Sequence, residues 1–114
     1  MDMFLQRFSE IEGVEGAILV GKDGLVVAGT ITSDDAEILG AMAAACFSSI
    51  SHFTEQIGTG EARKAIVESE RGVLTMVEVG DLILVVNTVP GVHLGRVIFE
   101  MTRASQLVAE RVGA

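Results

Sequence analysis

The chain has 114 residues, with 16 acidic and 8 basic side chains and a formal net charge of −8, and its length predicts one domain over residues 1–114. The negative charge disfavours nucleic acid and anionic membrane surfaces as partners, since both present phosphates. The single cysteine, Cys46, excludes an internal disulfide, and the charges within Met1–Glu10 exclude a signal peptide, so we expect a cytoplasmic protein.

The first part of the chain predicts a helix followed by a β-hairpin. Apolar residues at helical spacing indicate a short amphipathic helix over Met1–Ile11. Two apolar runs, Ala17–Val20 and Leu25–Ala28, are typical of strands. The pair Asp23-Gly24 between them favours a tight turn, because such a turn requires positive φ and glycine adopts it at little cost.

A long helix is predicted next, beginning after the polar run Thr32–Asp35 and ending near Ile57. The side chains of this run can accept hydrogen bonds from the free N–H groups of the first helical turn, and acidic residues suit the positive end of a helix. Gly58 and Gly60 mark the end of the helix.

Three strands and a helix complete the prediction. Ala62–Ser69 mixes charged and apolar residues as an edge strand does, Val73–Val79 alternates, and Leu82–Thr88 is apolar almost throughout, as in a central strand. The last helix is predicted from Leu94 to about Val112. This order favours a three-layer α/β (α+β) domain with five mainly antiparallel strands and helices on both faces of the sheet.

The long helix carries no charge over Ile38–Thr54, although a surface helix of a monomer needs a polar side. We expect its stripe of large residues to lie on the sheet: Leu39, Met42, Cys46, Ile50, Phe53 and Ile57. A neighbouring stripe of small residues predicts close contact with a second copy of the chain. Together with the edge strand, the predicted dimer interface consists of Gly40, Ala43, Ala44, Phe47, Ser48, Ser51, Ala65 and Val67.

Two other interpretations of this helix are disfavoured. An alanine-rich helix tolerates solvent without any partner, but the complete lack of charge argues against it. A membrane span is disfavoured because the uncharged run is shorter than the ~18–20 residues that cross a bilayer, and because it contains several serines and His52.

The sequence predicts no catalytic, cofactor-binding or metal-ligating residues. The segment G-A-I-L-V-G-K-D at residues 16–23 is close to a phosphate-binding loop, but it lacks the Ser or Thr that holds Mg²⁺ and falls in a predicted strand. His52 and His93 have no Cys or carboxylate at metal-ligand spacing. We therefore expect neither an enzyme nor a cofactor.

The order of segments resembles the roadblock (dynein light-chain) family over nearly the whole chain. The most specific pieces are G-A-I-L-V-G-K-D-G-L-V-V-A at Gly16–Ala28 and the pair Leu94-Gly95 that enters the last helix. The resemblance implies a roadblock/profilin-like fold, with the long helix on one face of a five-stranded antiparallel sheet and the terminal helices on the other. It also implies a homodimer, or a heterodimer with a paralogous roadblock protein, paired through the long helix and the middle strand.

Short bacterial members are similar to Mgl-type regulators, which act as dimers on Ras-like GTPases. The resemblance therefore implies a non-enzymatic dimer that binds and regulates a small Ras-like GTPase, as an activator or a scaffold, without an arginine finger of its own. Arg63, Lys64 and Arg71 are a candidate docking patch for the partner. The alternative is a structural dimer subunit of a motor or signalling complex that leaves nucleotide turnover unchanged, and a ligand-sensing domain ranks below both.

Overall fold

Three helices and five strands, in the predicted order, make up residues 2–30 and 35–111, the part of the chain that the computed structural model describes. The elements are α1 Asp2–Ser9, β1 Val14–Gly21, β2 Val26–Gly29, α2 Ala36–Gln56, β3 Lys64–Ser69, β4 Gly72–Val79, β5 Leu82–Thr88 and α3 Leu94–Arg111. The predicted boundaries at Met1 and Val112 lie outside the described residues.

The five strands form one antiparallel sheet in the order β2-β1-β5-β4-β3. The apolar strand β5 is central and the mixed strand β3 is at the edge, so both predictions are confirmed. β1 begins three residues before the predicted Ala17, because Val14 pairs with Thr88 at the end of β5. A long central neighbour thus extends the ladder beyond the apolar run that the sequence displays.

Side chains alternate between two hydrophobic layers because successive residues of a strand point to opposite faces. On one face, α1 and α3 cover the sheet, with Phe8, Leu19, Leu84, Val86 and Met101 fully buried among them. On the other face α2 covers Val20, Ile83 and neighbouring apolar residues through Phe47. The predicted three-layer arrangement, with the long helix opposite the terminal helices, is confirmed.

The turns follow the glycine pattern of the sequence. Gly24 has φ +94° and the Leu25 N–H donates to Asp23 Oδ1 at 3.0 Å, as the predicted hairpin turn requires. Gly58 has φ +87°, and its N–H donates to the Glu55 carbonyl at 3.0 Å, which ends α2 where predicted.

The start of α2 differs from the prediction. Asp35 has helical dihedral angles, φ −80° and ψ −8°, and its side chain accepts no capping hydrogen bond. A capping side chain needs an extended backbone at that position, and Asp35 does not have one. Its carbonyl oxygen instead accepts the Leu39 N–H at 2.8 Å, inside the helical ladder. Thr32, Ser33 and Asp34, the other predicted capping residues, lie outside the described residues.

Two buried threonines on the α3 side of the sheet allow a matched test of stability. Thr88 is 2% exposed and its Oγ1 donates to the Val73 carbonyl at 3.2 Å. Thr75 is 0% exposed, and its Oγ1 has no hydrogen-bond partner among the described residues. A buried hydroxyl without a partner loses its bond to water and gains nothing in return.

We therefore expect Thr75→Val, which replaces the hydroxyl by a methyl of similar size, to raise the free energy of unfolding by about 1 kcal/mol. Thr88→Val removes a satisfied hydrogen bond and should lower it by about 1 kcal/mol. Urea denaturation of the two variants and the parent chain measures both values. A destabilising Thr75→Val would contradict the assignment of an unsatisfied hydroxyl.

Candidate partner-binding surface

The side of α2 that contacts the sheet is made of small residues and one phenylalanine. Gly40, Ala44 and Phe47 are the buried residues of this helix. A Cβ atom on Gly40 would come within 2.5 Å of Val26 Cγ2, so only glycine lets the helix approach β2 this closely. The small-residue stripe therefore sets how near α2 lies to its own sheet.

This orientation contradicts the prediction for the two stripes of α2. The large residues expected to lie on the sheet face solvent instead, with exposed fractions of 40% for Leu39, 61% for Met42, 63% for Phe53 and 59% for Ile57. Cys46 is also exposed and Ile50 is half-buried. Neighbouring residues of a helix are separated by roughly 100° about its axis, and the helix is rotated by about that angle from the expected position. Since both stripes are apolar, hydrophobicity does not decide which of them lies on the sheet. The close packing at Gly40 decides it.

An apolar groove of about 390 Å³ lies between α2 and the sheet. It is lined by Leu39, Met42, Ala43 and Cys46 of α2 and by Ile18, Leu74, Met76, Val85 and Asn87 of the sheet. Asn87 is the one lining residue with a polar side chain. Apolar surface of this kind in a soluble domain marks a protein-contact site more often than a site for a polar ligand.

The apolar groove continues to the outer edge of the sheet. Leu74 and Met76 on its floor pair with Val67 and Ala65 of β3, which place their side chains on the same face. Among the described strands, β3 pairs with β4 on one side and has its other side open. Ile66, whose side chain lies on the opposite face of this edge strand, is 45% exposed. An open, apolar strand edge is a template for another chain.

The structure separates the eight predicted interface residues into three groups. Gly40, Ala44 and Phe47 are buried in the core of a single chain, and their assignment to a dimer contact stays a prediction. Half-buried residues packed against other parts of the same chain are Ala43, Ala65 and Ser51, whose Oγ accepts the Ala62 N–H at 3.0 Å. Only Ser48 and Val67 are exposed.

The residues that the sequence reasoning missed are the large exposed ones beside the apolar groove: Leu39, Met42, Cys46, Phe53 and Ile57. Ile66, on the other face of β3, is a further exposed apolar residue that it missed. The signal of the α2 residues was present in the sequence, since large apolar side chains form the most continuous stripe of the helix. They were assigned to the sheet because burial within the chain is the more frequent fate of such a stripe.

A polar cavity of about 230 Å³ lies on the opposite flank of α2. Ser48, His52 and Glu55 of the helix face Lys22 and Glu78 across it. Lys22 Nζ contacts Glu78 Oε2 at 2.8 Å. This hydrogen bond raises the pKa of Lys22 above its ordinary value of 10.5, and partial burial opposes the shift without cancelling it.

Residues 16–23 resemble a phosphate-binding loop in sequence but do not have its structure. Val14–Gly21 is strand β1, paired with β5 along its length, and the Lys22 ammonium is held by Glu78. The backbone N–H groups that would cradle a phosphate are therefore not grouped as in such a loop. Within residues 2–30 and 35–111, no three His, Cys, Asp or Glu side chains form a group that could hold a metal ion.

The raised pKa of Lys22 has a defined consequence for stability at high pH. A pKa that is higher in the folded state gives stabilisation that is complete below about pH 10.5 and is lost as the pH rises through the folded value. We expect Lys22→Met to lower the urea midpoint between pH 7 and 10, and the difference from the parent chain to shrink above pH 10.5. Arg96→Met, which removes an exposed positive charge on α3, is the control and should show no such change.

The candidate docking patch of Arg63, Lys64 and Arg71 extends over the whole length of β3. Lys64 begins β3 and Arg63 directly precedes it, whereas Arg71 follows the other end of the strand. The five steps from Lys64 to Ser69 span roughly 17 Å of strand. Arg63 and Lys64 line an open depression together with Glu61 and Glu78, so this end of β3 is mixed in charge.

By length and composition, α2 is a helix that could cross a membrane. The short length of the uncharged run is therefore not a sufficient reason to disfavour a membrane span. The packing of Gly40, Ala44 and Phe47 against the sheet is the stronger argument, because a spanning helix would have to abandon this core.

Comparison with known proteins identifies the family of this fold. The family model of the Roadblock/LC7 domain matches residues 1–88. The uncharacterized protein MJ1340 of Methanocaldococcus jannaschii is 39% identical over 109 residues, which cover 95% of this chain and 96% of that protein.

Solved structures share the architecture at lower identity. A Roadblock/LC7 domain from Streptomyces avermitilis superposes with a TM-score of 0.93 at 20% identity, covering 100% of this chain and 98% of that one. MglB of Myxococcus xanthus gives 0.91 at 21% identity, covering 98% and 94%. Profilin Ib of Acanthamoeba castellanii gives 0.67 at 15% identity over 96% and 94%, which confirms the profilin-like fold. The chain is a member of the Roadblock/LC7 family.

Proposed function

We propose that this protein is a non-enzymatic, homodimeric interaction module that binds and regulates a small Ras-like GTPase. The observation that carries the proposal is the apolar groove between α2 and the sheet, which continues to the open edge of β3. The dimer and the regulatory role are separate steps, and each has its own support.

The support for a dimer is the amount of apolar surface that one copy leaves in water. Met42, Phe53 and Ile57 are each about 60% exposed on a helix without compensating charge on that flank. A monomeric soluble domain seldom leaves such a patch beside an open strand edge. A second copy related by a two-fold axis covers both features at once, because each surface then meets itself.

The support for a regulatory role comes from relationship and from the chemistry of the surface. The sequence resembles Mgl-type regulators and the fold is that of MglB, a protein for which a tetrameric arrangement is known. The described surface offers a large apolar contact area and no metal-binding cluster. Such a surface suits a protein that acts by binding another protein in the cytoplasm.

Binding to candidate GTPases tests the regulatory role directly. The purified chain is titrated against each small Ras-like GTPase of the same genome, loaded with GDP or with a non-hydrolysable GTP analogue, by isothermal titration calorimetry. Single-turnover GTP hydrolysis is then measured with and without the chain. We expect tighter binding in one nucleotide state and a changed hydrolysis rate.

Each outcome of this experiment has a clear meaning. Nucleotide-dependent binding without any change in hydrolysis supports the scaffold alternative, a structural dimer subunit. Absence of binding across the panel, or binding that ignores the nucleotide, contradicts regulation of a GTPase. The oligomeric state is measured independently by light scattering, where a dimer of the 12.0 kDa chain has twice that mass.

A further inference from the structure

The hydrogen bonds of β3 show which of its backbone groups are available to a partner. The Glu78 N–H donates to the Arg63 carbonyl at 2.8 Å, so these two residues form a hydrogen-bonded pair at the start of the β3–β4 ladder. In an antiparallel ladder such pairs alternate. Ala65 and Val67 therefore bond to β4, and Lys64, Ile66 and Glu68 direct their N–H and C=O groups to the open edge.

We propose that two copies pair through β3 in one specific register, centred on Ile66, and that reciprocal Lys64–Glu68 pairs select it. The proposal rests on the proposed homodimer and deepens it, because it identifies the residues that specify the partner as a second copy. Ile66 lies opposite Ile66 of the partner subunit. Lys64 lies opposite Glu68 of the partner subunit, and two-fold symmetry repeats this pair.

Within Lys64–Ser69, opposite charges face each other only in this register. Glu70, which would oppose Lys64 after a shift of two residues, lies in the turn beyond β3. Lys64 and Glu68 stand two positions on either side of Ile66, so antiparallel pairing about Ile66 brings opposite charges together twice. Cross-strand pairs of opposite charge stabilise a sheet, and like charges directly opposite destabilise it. All three residues are exposed, so each is accessible to the second copy.

Neighbouring registers lose this complementarity. A shift of two residues in either direction keeps the hydrogen-bond pattern but sets Ile66 against Lys64 or against Glu68 of the partner subunit. A charged side chain opposite an exposed isoleucine forms no ion pair and leaves apolar surface uncovered. A shift of one residue is excluded, because it sets residues whose N–H and C=O groups point to the open edge against residues whose groups are already bonded to β4.

The β3 residues on the opposite face of the sheet are also compatible with this register. Ala65 and Val67 lie on the face that α2 covers, beside Met76 and Leu74 of the apolar groove. Pairing about Ile66 places Ala65 opposite Val67 of the partner subunit. Small and large apolar residues then alternate across the two-fold axis, and the apolar grooves of the two copies become continuous.

Charge exchange tests the register. Lys64→Glu alone or Glu68→Lys alone converts both ion pairs into like-charge pairs, which should raise the dimer dissociation constant roughly tenfold in low salt. The double variant Lys64→Glu/Glu68→Lys restores opposite charges and should dimerise as the parent chain does. An equimolar mixture of the two single variants should form heterodimers in preference to either homodimer, as counted by native mass spectrometry.

Arg96→Glu, at an exposed position on α3, is the control for the change in net charge and should leave dimerisation unchanged. Sedimentation at 1 M salt should reduce the differences among all variants, since the charges are exposed and salt screens them. Heterodimers at the statistical proportion, with single variants indistinguishable from Arg96→Glu, would overturn the proposed register.

Disulfide trapping tests the same register by distance. In a Cys46→Ser background, Ile66→Cys should cross-link to itself, because directly opposed Cα atoms are about 5.5 Å apart, within reach of a disulfide. Ala65→Cys and Val67→Cys would each lie about 7–8 Å from their own counterparts and should cross-link poorly. These two variants report the neighbouring registers, so efficient cross-linking at either position and not at 66 would overturn the proposal.

Failure of the register and failure of the dimer are distinguishable. The register is overturned, and the proposed homodimer is kept, if the parent chain dimerises but charge exchange does not change the dissociation constant and Ile66→Cys does not cross-link. A parent chain that sediments as a single subunit at every concentration overturns both.

Discussion

Ala44→Glu is expected to unfold the chain, with a loss of about 4 kcal/mol or more in the free energy of unfolding. Ala44 is 5% exposed and packs between α2 and the sheet, beside the core residue Phe47. A carboxylate at that position would displace packed core atoms or point into the polar cavity, where Glu55, Glu61 and Glu78 repel it and Lys22 is already paired with Glu78. Marginally stable domains have only about 5–15 kcal/mol to lose. Far-ultraviolet circular dichroism and thermal melting would show lost helix content or a greatly lowered Tm.

Ala45→Glu is the matched control for this experiment. Ala45 is the next residue of the same helix and is exposed, so the same substitution adds the same charge with similar effects on helix propensity. We expect it to keep the parent Tm within a few degrees. A folded, soluble Ala44→Glu monomer would instead place Ala44 at a surface between copies and would contradict the packing described here.

Cys46→Glu and Met42→Glu are expected to separate the dimer into folded monomers. Both residues line the apolar groove and both are exposed in the single chain. A carboxylate there is hydrated in the monomer but desolvated and unpaired when a second copy covers the groove, which costs about 2–5 kcal/mol. The dissociation constant should therefore rise at least roughly 30-fold.

Light scattering over a concentration series measures this effect, and circular dichroism verifies that the fold is retained. Ala45→Glu again serves as the control, because it lies on α2 but does not line the apolar groove. A Cys46→Glu chain that dimerises as tightly as Ala45→Glu would show that the apolar groove is not the contact surface.

The two experiments together decide between the small-residue and the large-residue sides of α2. Charge on the small-residue side should destroy the fold, and charge on the large-residue side should destroy only the association. If the expected dimer is right but made by the small-residue stripe, the two results would be exchanged.

The elements and their order were predictable because each has a local cause. The periodicity of apolar residues distinguished helices from strands, and glycines such as Gly24 and Gly58 marked turns that need positive φ. The central position of β5 followed from a strand apolar on both faces, and the edge position of β3 from its mixed composition. These signals depend on a few neighbouring residues and therefore survive without tertiary information.

The capping of α2 was less predictable for a related reason. A polar run before a helix shows that capping is chemically available, but the backbone conformation decides whether a side chain is used. Asp35 takes helical dihedral angles, and its side chain makes no capping hydrogen bond. The backbone dihedral angles of Asp35 cannot be read from the composition of the polar run.

The sequence by itself determined that this protein has five strands, a long helix without charge over Ile38–Thr54, and more apolar surface than one small domain can cover. Only the tertiary structure decided which side of that helix meets the sheet. Both sides are apolar and differ in size, and the choice depends on whether a Cβ fits beside Val26, which is a distance of a few ångströms between residues far apart in the chain. Close packing rewards the side that allows the nearest approach, so Gly40 and Ala44 went inward and the larger side chains remained outside, beside the apolar groove.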